Sequence, residues 1–168
     1  LQDITDRKKY EEKLEELALV ASKTTDVIFM TDPDEQITWV NNAFEKFSGY
    51  PFNEVIGKSP GNILTGPDNN QNTMSRISNA FKKQEALQTI VLNYSKTGDK
   101  YWFDLTLDPI FDNEGNCEGF IGIQKDVTDQ IEHQRELRKS VERYEIVSKA
   151  TSDTIWDLDL ESDTIKYN

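Results

Sequence analysis

Apolar and polar residues alternate most regularly between Thr89 and Asp129, in three runs separated by two turn signals. In the second run Tyr101, Phe103, Leu105 and Leu107 share one side, and Trp102, Asp104, Thr106 and Asp108 the other. A period of two is the mark of a strand. The first run sets Val91 and Asn93 against Ile90, Leu92 and Tyr94; the third sets Ile121 and Ile123 against Phe120, Gly122 and Gln124. Lys96-Thr97-Gly98-Asp99 and Asp112-Asn113-Glu114-Gly115-Asn116 join the runs with residues that tolerate tight turns. The pattern predicts an antiparallel meander. Apolar groups fall on both faces, so the outer face is expected to be covered by a helix or a second chain.

Elsewhere the period changes. Leu14, Leu17 and Ala21 repeat at helical spacing in a charged stretch, predicting a helix over 7–23. Val27 to Met30 and Ile37 to Val40 flank the turn Asp32-Pro33-Asp34-Glu35, predicting a hairpin. Asn41-Asn42 opens a short helix over 43–47, Gly49-Tyr50-Pro51 breaks it, and 52–56 makes another turn of helix. Residues 57–72 are rich in Gly, Pro and Asn and read as a loop. Thr73 is placed as the N-cap of a helix whose apolar stripe is Met74, Ile77, Ala80 and Phe81. From Gln130 a second charged helix carries Leu137, Val141 and Tyr144 near heptad spacing, running to about 151.

The chain repeats itself. Asp3-Ile4-Thr5-Asp6 recurs as Asp126-Val127-Thr128-Asp129, and each copy precedes a charged helical stretch. Thr25-Asp26-Val27-Ile28 matches Ser152-Asp153-Thr154-Ile155, and Ile37 to Asn41 matches Thr164 to Asn168. The expected organisation is the tail of one module at 1–6, a linker helix at 7–23, a complete domain at 24–129, a second linker at 130–151, and the start of a further module at 152–168.

Composition narrows the function. The net charge of -12 argues against nucleic acid and anionic membrane surfaces as partners, since both call for a basic face. No stretch approaches the length of an apolar membrane span, and no signal peptide is visible, so a cytoplasmic location is expected. Cys117 is the only cysteine, which leaves no intrachain disulfide and no cysteine metal cluster. The acidic residues have no metal-ligand spacing, and no nucleotide-binding glycine loop or catalytic triad is present. His133, the one histidine, falls on the second linker helix and reads as solvated.

The order of elements, together with Trp39-Val40-Asn41-Asn42-Ala43-Phe44, Ser48-Gly49-Tyr50, Val55-Ile56-Gly57-Lys58 and Asp126-Val127-Thr128-Asp129, resembles the PAS family. The resemblance spans 24–129. It implies an α+β fold, a five-stranded antiparallel sheet with short helices on one face and linker helices at the flanks. It also implies a sensory or dimerisation role in signalling proteins such as histidine kinases and cyclic-dinucleotide enzymes.

Leu64-Thr65-Gly66-Pro67-Asp68, Leu92 to Gly98, Tyr101-Trp102 and Ile121 to Asp126 further resemble the LOV branch, which binds flavin and reacts with blue light. In that branch a loop cysteine bonds to the flavin. Its place here is Gly61, with Pro60 and Asn62 in the neighbouring asparagine and arginine places. Thr65 replaces a glutamine, Ser78 a phosphate-binding arginine, and Phe103 a second flavin-contacting asparagine. Only Asn93 and Gln124 keep the polar identities that the branch uses to contact a flavin ring. No thiol is placed for an adduct and no arginine for a phosphate, so no bound cofactor is expected and the protein should be colourless and inert to light.

The resulting expectation is a non-enzymatic sensory and dimerisation module of a multi-PAS sensor histidine kinase. Asn93, Gln124, Phe103, Trp39 and Asn42 are the pocket candidates. Asp126 and Thr128 form the junction that relays a change to the output, and Leu14, Leu17, Leu137, Val141 and Tyr144 form the seams of a homodimer. The alternatives are a flavin- or small-molecule-binding redox sensor, and the PAS region of a diguanylate cyclase or phosphodiesterase.

Overall fold

Five strands form one antiparallel sheet in the order β2-β1-β5-β4-β3. They are β1 Val27–Thr31, β2 Ile37–Val40, β3 Leu87–Tyr94, β4 Lys100–Phe111 and β5 Cys117–Asp126. The computed structural model describes residues 8, 12–13 and 19–165, with side chains through 151. The helices are α1 Asn42–Ser48, α2 Phe52–Val55, α3 Pro60–Leu64, α4 Gln71–Lys83 and α5 Thr128–Ile165. Residues 19–23 are helical as well. The chain divides into two units, Leu1–Thr128 and Asp129–Asn168.

The meander forms in the register that its alternation predicts: Val91 pairs with Phe103, and Leu105 with Gln124. Phe103, Leu105, Leu107, Phe120 and Val91 are buried on the inner face. α1 and α4 cover that face with Phe44 and Phe81, whose rings meet Phe29 and Phe120 edge-on at 6.4 and 4.7 Å. Gly122 makes room for this core. A Cβ there would lie 2.1 Å from the Phe29 ring.

Local chemistry moves some boundaries. Asn70, not Thr73, caps α4: its side chain accepts the Thr73 N–H at 3.1 Å. The 57–72 loop contains α3, because Pro60 has the fixed φ of a first helical residue and lacks only an N–H that would be unbonded there. The second linker helix does not end near 151; the backbone stays helical to Ile165. Between 128 and 165 no glycine or proline interrupts it.

Within the second unit, Leu137, Val141 and Tyr144 are exposed on α5. Among the described residues no helix is long and apolar enough to cross a membrane.

Candidate functional site

Beneath α3 and α4 the inner face of the sheet bounds a cavity of about 330 Å³. This lies within the range of small-molecule sites. Apolar side chains such as Leu105, Leu107 and Ile77 form most of its wall, and Asn93 and Gln124 supply the amides. The two amides come from β3 and β5, which are separated by β4. They meet above it, the Asn93 Nδ2 donating to the Gln124 Oε1 at 3.1 Å. Both residues are buried. The amide–amide bond fills one of the four hydrogen-bonding capacities of each side chain inside the core.

The places that the LOV resemblance marks in the loop and helix, Pro60, Gly61, Asn62, Thr65 and Ser78, all line this cavity. Phe103 does not. It is buried beside a separate small void and packs edge-on against Phe47 at 5.6 Å. It fills space next to the amide pair instead of walling the main cavity.

Trp39 and Asn42 are not cavity residues. β2 has a bulge: Thr31 pairs with Ile37 and Met30 with Trp39, so Thr38 is the extra residue. The bulge puts Ile37 and Val40 inward together and turns Trp39 to the outer face, half-buried. Asn42 is the exposed first residue of α1. The neighbouring Asn41 has the buried polar role. Its Oδ1 accepts the N–H groups of Ile28 and Phe44, both at 3.0 Å, and its Nδ2 donates to the carbonyls of Asp26 at 2.9 Å and Ala21 at 3.1 Å. One side chain thus joins 19–23, β1 and α1. A helix-capping Asn at the end of a strand was its only sequence signal.

Glu35 is a cavity residue that sequence patterning missed; it sits in the β1–β2 turn and lines the cavity. Burial pushes its carboxyl above the usual range, and the charge of Lys82 opposes that rise.

At the other end of β5, the junction is built on Trp102. The Val127 N–H donates to the Trp102 carbonyl at 2.8 Å, and the Trp102 N–H donates to the Thr128 Oγ1 at 2.9 Å. The Thr128 N–H donates to the Asp126 Oδ1 at 2.9 Å. Asp126 and Thr128 therefore pair with backbone where strand becomes helix, as short polar side chains do.

The 65–70 segment is latched to β3 and β4. Asp68 accepts from the Tyr94 hydroxyl at 3.0 Å and from the Lys100 ammonium, and these bonds hold its carboxyl below the usual range. The Asn69 Nδ2 donates to the Leu92 carbonyl at 2.6 Å. Gly66 lies flat on the Tyr94 ring, where a Cβ would come within 2.6 Å.

His133 is exposed on α5, its Nδ1 2.7 Å from the Asp129 carbonyl. Leu14 and Leu17 lie outside the described residues. Among the described residues no group of three potential metal ligands converges.

A family model described as "PAS domain" matches residues 25–129. The chain belongs to the PAS domain family. Its relatives place it near the LOV branch. It is 34% identical over 124 residues to the "Blue-light photoreceptor" of Listeria monocytogenes, covering 72% of this chain and 48% of the relative. It is 31% identical over 123 residues to the "Blue-light-activated histidine kinase" of Brucella anthropi, covering 73% and 25%. The structure of an RNA-binding Light-Oxygen-Voltage receptor superposes with a TM-score of 0.67 at 28% identity, covering 76% of this chain and 37% of that one. The chain thus spans about half the length of the first of these two curated relatives and a quarter of the second, and less than half of each curated relative it matches here.

The cavity of this PAS domain does not fit the photochemistry of those relatives' names. Its lining holds no thiol. Cys117 begins β5, where its Sγ donates to the Gly119 carbonyl at 3.4 Å. Among the lining residues none is cationic, so a flavin phosphate would meet no Lys or Arg in the wall.

Proposed function

We propose that this chain is a non-enzymatic sensory and dimerisation region of a multi-PAS signalling protein, a sensor histidine kinase, working in the cytoplasm. The supporting observation is the pair of hydrogen bonds that hold the junction to Trp102. β4 carries Trp102 on one face and the cavity residues Leu105 and Leu107 on the other. A ligand or repacking event that shifts β4 therefore moves the two backbone groups that hold the start of α5. On this reading α5 pairs with its copy in a homodimer, residues 1–6 close a preceding module, and 152–168 open a following one once that module supplies strand partners. The chain's acidity supports partners other than nucleic acid.

A second reading, a small-molecule sensor, is favoured by the cavity itself, which is large enough for a ligand and carries an amide pair.

Hydrogen exchange on the whole chain tests the relay. Gln124→Leu should change protection at 101–103 and at 127–132. Thr128→Ala should remove the change at 129–132 and keep it in the strand. Protection at 129–132 that ignores Gln124→Leu would end this reading.

A further inference from the structure

The sheet has two edge strands, β2 and β3. An edge strand turns the N–H and C=O of every second residue away from the sheet, where another chain can pair with them. The β2 edge is closed. The Ile37 N–H donates to the Lys58 carbonyl at 3.0 Å, the Gly57 N–H donates to the Ile37 carbonyl at 2.9 Å, and the bulge at Thr38 breaks the register.

The β3 edge is different. Its parity follows from Trp102, whose N–H donates to Thr128 and whose carbonyl accepts from Val127, both on the β5 side of β4. Leu92 is paired with Trp102, so it turns its own backbone groups outward, as do Ile90 and Gln88 at the same parity. The Leu92 carbonyl is covered by the Asn69 Nδ2 at 2.6 Å. Gln88 and Ile90 are exposed, Ile90 at 43%, and among the described residues nothing bonds to their outward backbone groups. β3 pairs with β4 without a bulge, and 87–92 holds no lysine or proline. Those are the devices that keep an edge from adding a strand.

The flanking side chains select the partner. On the outer face Ile90 lies across from Asp104, whose carboxylate accepts from the Gln88 Nε2 at 3.2 Å. On the inner face the Arg76 Nη1 of α4 donates to the Thr89 Oγ1 at 3.2 Å. Arg76 is exposed and makes no ion pair among the described residues, in a chain of net charge -12. A carboxylate opposite Thr89 on an added strand would meet this guanidinium. A second copy suits the edge poorly. A two-fold axis at Thr89 would pair Gln88 with the Ile90 of the copy and bring the two Arg76 guanidiniums together.

We propose that the Gln88–Ile90 edge of β3 is a docking site for an extended acidic segment of a partner protein, which adds as a further antiparallel strand. The partner residue opposite Thr89 gives its carboxylate to Arg76. Apolar residues on either side of it lie beside Gln88 and Ile90 and exchange backbone hydrogen bonds with them.

The test is fluorescence anisotropy of the whole chain with labelled pentapeptides. The first is Thr-Val-Glu-Val-Thr, and the second has Lys in place of Glu. The acidic peptide should bind at least about fivefold more tightly, and added salt should narrow the ratio. N-methylation of its two valines, whose N–H groups face β3, should weaken binding about tenfold; N-methylation of its glutamate, whose N–H faces away, should not. Arg76→Glu should reverse the preference between the two peptides. Ile90→Pro removes an outward N–H, a change an edge strand tolerates, and should weaken binding about tenfold with an unchanged circular dichroism spectrum. No saturable binding, equal binding of the two peptides by the wild type, or equal loss from the two N-methylated forms would each overturn the inference. A sedimentation mass that falls with Ile90→Pro in the absence of peptide would assign the edge to a second copy and overturn it as well.

Discussion

The Oγ1 of Thr128 accepts the backbone N–H of Trp102 at 2.9 Å, which fastens the first residue of α5 to β4. Val127 adds a second bond to the same residue. Thr128→Ala should cost about 1 kcal/mol, the ordinary worth of one such bond, and lower the melting temperature by about 3–6 °C. Thr128→Ser keeps the oxygen and should recover most of that loss. Thermal melts in which the Ser and Ala variants coincide would show that the hydroxyl does not matter.

Asn41 should be far more sensitive. Its amide serves four backbone groups from 2% exposure, so truncation strands two N–H donors and two carbonyls at once. We expect Asn41→Ala to cost about 3 kcal/mol or more, by urea denaturation, and to raise hydrogen exchange at Ile28 and Phe44. Asn42→Ala, one residue on and exposed, should cost under about 0.5 kcal/mol. Similar losses at the two positions would contradict the bonding pattern.

The contrast between these neighbours shows what could be read from the sequence. Period-two alternation assigned Phe103, Leu105 and Leu107 to the inner face, because regular strands leave a side chain only two directions. Trp39 was a pocket candidate, and one extra residue at Thr38 turns it to the outer face instead. The Pro60–Leu64 helix hid in a Gly- and Pro-rich stretch because proline marks a helix start as well as a break. Asn93 and Gln124 were legible as pocket residues, and their bond across β4 shows in the folded chain. The cavity wall draws on residues from Phe29 to Gln124, and no local pattern encodes that convergence. Glu35 looked like an ordinary turn residue, and its left-handed backbone shows only in the folded chain.

Glu35 and Gly115 occupy equivalent places in the matching turns that open at Asp32 and Asp112, so exchanging their identities tests the backbone cost, which Gly115 reports free of side-chain contacts. Glu35→Gly should stabilise the domain by about 0.5–1 kcal/mol, and Gly115→Glu should destabilise it by about 1 kcal/mol. Nothing lies within 4 Å of a Cβ built on Gly115, so steric clash does not confuse the second measurement. Urea midpoints moving in the same direction for both variants would refute the equivalence.

The latch at Asp68 predicts an acid limb. The Lys100 ammonium and the Tyr94 hydroxyl hold the Asp68 carboxyl below the usual range, and the same ion pair holds Lys100 above its own. For an acid whose pKa is depressed on folding, the stabilisation is present above the unfolded value, about 3.9, and is lost as pH falls through the folded one. Asp68→Asn should therefore leave a shallower fall in the urea midpoint below about pH 4 than the wild type shows. Both side chains are exposed, so added salt should shrink the difference. Identical acid limbs in the two proteins would show that the latch contributes nothing.

The last prediction concerns α5. Leu137, Val141 and Tyr144 fall at i, i+4 and i+7, a single narrow stripe, and are 66%, 49% and 74% exposed. Arg135, Glu136, Arg138 and Lys139 surround the stripe, and Arg138 pairs along the helix with Glu142 at 3.2 Å. An apolar seam flanked by charge is the pattern of helices that pair, and a polar helix without a partner is marginal in water. Burying these three side chains against a second copy would remove three of the exposed apolar groups of α5 from solvent. We therefore expect a dimer at micromolar concentration, and we expect Leu137→Glu with Val141→Glu to shift it to monomer while the PAS domain stays folded. The equivalent change at Leu14 and Leu17 should weaken the dimer further if the first linker contributes a second seam. Sedimentation equilibrium decides the matter: a monomeric wild type, or a double variant that dimerises as well as the parent, would remove α5 from the dimer and leave its exposed stripe without a role.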